Sequence, residues 1–203
     1  MTAVYLASED ALAEAIADRL IEEENEGMRV AVHVGRKGNG YLRKNLPIFI
    51  KISHTIPVVL FTDLDRCACP AGLINDWLGN IVLPQTMLFR VAVHEAEAWL
   101  LADREGFAQF SGVPLHRIPD HPEALGDPKE VLLNLVRRYG KRTIKADILP
   151  EKGSTARVGL AYNQALCTFV QQLWSPHRAG EGAESLKRTR HRIHELRLNQ
   201  ERR

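Results

Sequence analysis

The run "IPVVLFT", residues 56–62, ends abruptly at Asp63 and constrains the fold more than any other stretch. An unbroken apolar run of this length, rich in β-branched residues, suits a strand covered on both faces, as in a parallel sheet between helices. "AVYLAS", "MRVAVHV" and "MLFRVAV" read as further strands, and helical patterns separate them. In "SEDALAEAIADRLIEEE", Leu12, Ile16 and Leu20 recur with Ala13, Ala17 and Ile21 at helical spacing, with Ser8 expected as N-cap and "ENEG" as the stop. "YLRKNLPIFIKISH" reads as a helix interrupted at Pro47, "PAGLINDWL" as a helix, and "HEAEAWLLADREGFAQFSG" as a helix ended by Gly112. This alternation predicts an α/β fold with a mainly parallel, Rossmann-like sheet flanked by helices.

Beyond residue 110 the texture changes. "GVPLHRIPDHPEALGDP" is loop-like, and "DPKEVLLNLVRRYG" starts a helix with proline in its first turn. "STARVGLAYNQALCTFVQQLW" and the basic tail are helical candidates. The expected division is an α/β core over residues 1–110 and a loop and helical C-terminal extension over 111–203, packed on the core.

No apolar stretch approaches the ~18 residues that would span a bilayer, and "MTAVYLASED" lacks a basic start and an apolar signal core. The expectation is a cytoplasmic protein without a membrane partner. Three cysteines, with Cys67 and Cys69 spaced C-x-C and no second pair nearby, argue against a disulfide framework and a structural zinc site. Net charge is only +2, but from Leu186 to Arg203 seven Lys/Arg face Glu195 and Glu201. A second basic cluster, Arg36, Lys37, Arg43 and Lys44, lies in "GRKGNGYLRKN". Such clusters suit a polyanion, DNA or RNA, and equally a solvated face that keeps a protein soluble.

Ligands of open parallel sheets sit beyond the carboxyl ends of the strands. Glu9 and Asp10 follow the first strand, Asp63 and Asp65 the third, and Glu95 and Glu97 the fourth. Two residues apart on extended chain point the same way, whereas on a helix they diverge by about 200°. Asp63 and Asp65 can therefore face one cation if strand geometry persists through them. Mg²⁺ or Mn²⁺ is the expected cofactor, because hard cations take carboxylates, waters and phosphates. The plainer alternatives are helix-dipole partners at Glu9 and Asp10, a cap at Asp63, and pairing of Glu95 or Glu97 with Arg90 or Arg104.

A short strand, an acid at its end and then "VVLFTDLD" resembles the Toprim domain of topoisomerases, bacterial primases and overcoming-lysogenisation-defect nucleases. "SEDALAEAIADRL", "GRKGNGYLRKNL", "LFTDLDRC", "FRVAVHEAEAWLLADREGFAQF", "DPKEVLLNLVRR" and "ARVGLAYNQAL" together resemble an uncharacterised bacterial branch of such proteins. The resemblance implies metal-dependent phosphodiester chemistry, most simply a nuclease, with Glu9, Asp63 and Asp65 as catalytic and metal-binding residues and Glu95 and Glu97 completing the acidic face. The first Toprim motif usually reads Glu-Gly, and Glu9-Asp10 departs from it. A non-catalytic nucleic-acid- or protein-binding module on the same scaffold is the main alternative. "VVLFTDLDRC" also resembles the first motif of haloacid-dehalogenase phosphatases, but two strands precede it and Cys67 stands where Thr or Val is usual. There is no GxxxxGK[ST] loop, so an ATPase would have to be a separate partner. "GRKGNG" is a candidate phosphate cradle with Lys37, and Lys129, Lys152 and Arg157 are candidate phosphate contacts. His94 is a candidate proton shuttle, and no oligomeric state is implied.

Overall fold

The structure is a computed structural model that describes residues 1–23, 27–64, 69–92 and 96–201. It contains two compact units, Met1–Val93 with Lys187–Arg203, and His94–Leu186. The boundary expected at residue 110 lies inside the second unit.

In the first unit four strands, β1 (Thr2–Ser8), β2 (Met28–Gly35), β3 (Val58–Asp63) and β4 (Met87–Ala92), form an all-parallel sheet in the order β2-β1-β3-β4. This is the α/β, Rossmann-like arrangement expected. Central β3 buries five of its six residues, which explains its unbroken apolar run. Ala7, Val58, Leu60, Met87, Phe89 and Val91 alternate along their strands and pack against α2 (Asn39–Ser53) and α3 (Pro70–Leu78). Alternation turns Leu6, Val59 and Phe61 to the other face, where α1 (Ala11–Glu22) lies on the sheet.

Three local expectations change. Ser8 ends β1, paired with Phe61 and Gly35, so the cap of α1 is Asp10, which accepts from the Ala13 N–H at 2.8 Å. Helix α2 runs through Pro47 without interruption. Pro47 is exposed, so a helix held by Leu42, Leu46 and Phe49 in the core tolerates the missing backbone donor. "HEAEAWLLADREGFAQFSG" divides into α4 (Ala96–Ala102) and α5 (Arg104–Ser111), because Asp103 accepts from the Gly106 N–H and caps a new helix.

The second unit is helical: α4 and α5, two short 3-10 turns, α6 (Pro128–Tyr139), α7 (Arg142–Ile148), α8 (Tyr162–Gln172) and α9 (Pro176–Gly182). Every residue of α4 is buried, so it is the axis of this unit. Buried Asp103 also accepts from Ser175 N–H and, twice, from Arg178, tying α9 to the start of α5. That charge-assisted pair raises Arg178 above its ordinary value, against burial and with help from Glu105.

The basic tail is α10 (Glu184–Glu201). Far from being solvated all round, it buries Thr189, Ile193 and Leu196, a stripe at helical spacing. Arg190 reaches Glu23 with two bonds of 2.8 Å. Among the described residues no helix is long and apolar enough to cross a membrane.

Candidate metal centre at the strand ends

The carboxyl ends of β1 and β3 are adjacent, since Ser8 registers with Phe61. Glu9 therefore arrives beside Thr62, whose hydroxyl donates to Glu9 Oε2. The Asp63 N–H donates to the same oxygen at 3.2 Å. Glu9 and Asp63 are both half-buried, and Asp63 Oδ1 is itself buried. Two carboxylates thus share one end of the sheet, one of them oriented by two donors from the neighbouring strand. Asp65, His94, Glu95 and Cys67 lie outside the described residues.

The glycine-rich loop braces this end. Arg36 N–H donates to Ser8 O at 2.9 Å and Gly38 N–H to Glu9 O at 3.0 Å. Gly35 has φ +122°, and a Cβ there would stand 1.9 Å from Ser8 O. Only glycine permits that approach. These two amides hold β1 rather than face outward as a cradle.

The predicted basic residues have varied surroundings. Arg36 pairs with Glu14, and Arg43 with Asp76 at 3.0 Å. Lys37 lies over the Tyr41 ring, 5.1 Å from its centroid. Lys44, Lys152 and Arg157 are exposed.

Glu97 belongs to the second unit and is buried. Tyr162 OH donates to its Oε1 at 2.8 Å, and Lys129 Nζ lies 3.1 Å from the same oxygen. The two donors tie α8 and α6 to α4. Glu97 thus pairs with Lys129, while Arg90 donates to Thr189 and Arg104 pairs with Asp120.

One group missed by sequence reasoning is Glu14, Asp18 and His33, whose ligand-type atoms lie within 4.8 Å of one another. Its signal was the Glu14/Asp18 spacing on one face of α1. These side chains have partners: Arg36 donates to both Glu14 oxygens, and His33 Nε2 lies 2.8 Å from Asp18. Burial pushes Glu14 up, but the hydrogen bond and charge of Arg36, helped by His33 and Ser8, bring it below its ordinary value. For Asp18, burial prevails over the opposing pull of His33, and Glu14 and Glu22 add to the rise.

No protein-family model, curated protein or solved structure matches the chain.

Proposed function

We propose that the chain performs Mg²⁺- or Mn²⁺-dependent phosphodiester chemistry on nucleic acid, as a nuclease on a Toprim-like scaffold. The observation that carries this reading is the meeting of Glu9 and Asp63 at the carboxyl ends of adjacent parallel strands. Their oxygen donors are of the hard type that suits these cations. Asp63, Glu9 and Asp65 would hold the metal, which when bound would polarise a phosphoryl oxygen and lower the pKa of a water. The Thr62 hydroxyl and Asp63 N–H keep Glu9 Oε2 aimed, so that Glu9 acts as ligand or as the group that moves a proton. Exposed Lys37 and Lys44 would contact the phosphate backbone.

One observation favours the rival reading, a non-catalytic nucleic-acid- or protein-binding module. Two amides of the glycine-rich loop are taken up by β1, so they do not form a phosphate cradle beside the acids. Calorimetric titration with Mg²⁺ and Mn²⁺ separates the two. The nuclease reading expects saturable metal binding that Asp63→Ala removes, together with metal-dependent cleavage of DNA or RNA that the same variant abolishes. Absence of both metal binding and cleavage in the parent chain transfers the protein to the binding class.

A further inference from the structure

Arg90 is the charged residue in "MLFRVA", the sequence of β4. Alternation places it opposite the face that carries Phe89 and Val91, towards α10. Its Nε and Nη2 both donate to Thr189 Oγ1, at 3.2 and 3.1 Å, and Thr189 is fully buried. Among the described residues no carboxylate pairs with Arg90. A hydroxyl satisfies geometry but carries no compensating charge, and a guanidinium cannot shed its proton to escape. Burial, then the charges of Arg192 and Arg188, hold Arg90 below its ordinary value.

Beside it, within the first unit, lies a cavity of about 430 Å³ along the open edge of β4. Arg90, Arg192 and Asn199 contribute polar groups to its lining, and Leu83, Phe89 and Leu196 an apolar wall. The acid in the lining, Glu195, is already shared by Arg192 at 2.6 Å and His191 at 3.2 Å.

We propose that this cavity binds a small phosphomonoester with an apolar or aromatic body, of the nucleoside-monophosphate class. Two guanidinium forks offer more N–H donors than one carboxylate can accept, whereas a phosphoryl group brings three acceptor oxygens and a charge of about −1.5 to −2. The size and the mixed lining suit a small organic ligand rather than a bare ion. The site is separate from the strand-end acids. Its lining on the β4 side runs from Leu83 to Arg90, whereas Asp63 registers with Ala92 at the carboxyl end of β4. It therefore does not depend on metal chemistry there.

The test is calorimetric titration of the full chain with adenosine 5′-monophosphate in chelator-containing buffer, with adenosine and inorganic phosphate as separate arms. The monophosphate should bind, and adenosine and phosphate should each bind at least about tenfold more weakly. Arg90→Gln and the exposed Arg192→Ala should each weaken it by about tenfold or more, while Asp63→Ala leaves it unchanged. Failure of the parent chain to bind the monophosphate at millimolar concentration overturns the proposal, as does equal binding by parent, R90Q and R192A. Inorganic phosphate binding as tightly as the monophosphate overturns the assignment of an apolar body. A short single-stranded oligonucleotide binding more tightly, with the same Arg90 dependence, transfers the cavity to nucleic acid and overturns the small-ligand class. Because Arg192 is exposed on α10, R192A remains decisive even if R90Q fails to fold.

Discussion

Glu9 and Glu97 both lie within a few residues of a strand end, and both were expected to help hold one cation. Glu9 Oε2 accepts from a neutral hydroxyl and a backbone N–H of the neighbouring strand. Asp63, whose backbone N–H is one of those donors, ends that strand. Glu97 is enclosed, with a lysine and a tyrosine hydroxyl on one oxygen and an almost fully apolar helix around it. An acid whose charge is already matched serves as a tie between helices. The acids at the strand ends are the ones proposed to hold a cation. The partners decide the difference, and sequence position does not reveal them.

The contrast can be broken most sharply at Asp63. Asp63→Ala should remove metal-dependent cleavage, and Glu9→Gln should slow it by about 10²–10⁴-fold, with circular dichroism unchanged for both. A variant that keeps full activity at either position sinks the strand-end site. Gly35→Ala should come next, costing about 3 kcal/mol in urea denaturation, because the left-handed φ and the clash with Ser8 O act together. It should also weaken metal binding by disturbing the backbone of Glu9.

Glu97→Ala should destabilise by about 2 kcal/mol, since it removes the buried oxygen that accepts from Tyr162 and pairs with Lys129. Loss of cleavage in Glu97→Gln without loss of stability would erase the distinction drawn between the two acids. A smaller effect is expected at Glu14, whose value in the fold is lowered. Its contribution is present above the unfolded carboxylate value, about 4.3, and is lost as pH falls through the folded one. Asp18, raised in the fold, runs the other way and loses stability as pH rises from its unfolded value through the folded one. Arg36→Met should therefore cost about 1 kcal/mol at neutral pH, a figure reduced for the exposure of Arg36, and less in acid. Denaturant midpoints across pH would check it, and a loss that grows in acid would contradict the sign. Lys152→Ala, at an exposed position, should change stability by less than about 0.5 kcal/mol.

Strands β1, β3 and β4 were legible because burial on two faces leaves no room for polar alternation. The parallel α/β class followed from the spacing between them. Ser8 was misplaced because a good capping side chain was weighed without the backbone pairing that keeps it in β1. The break expected at Pro47 did not occur, since tertiary packing of α2 outweighs one missing donor. The buried stripe of α10 was hidden among arginines, whose charges dominate a local reading of the tail. Arg90 was considered only as a partner for Glu95 or Glu97. That it meets Thr189, ninety-nine residues away, is a long-range contact that no local pattern announces.

The return of α10 to the sheet has a consequence for synthesis. Residues 187–203 complete a unit whose other part ends at Val93, and the whole of 94–186 is translated in between. On the ribosome the second unit can close on itself while the first still waits for Thr189, Ile193 and Leu196. Until they emerge, the face of β4 that carries Arg90 lacks its cover. A growing chain stalled before residue 187 would thus present that face of β4 to chaperones, although all four strands of the sheet have already emerged.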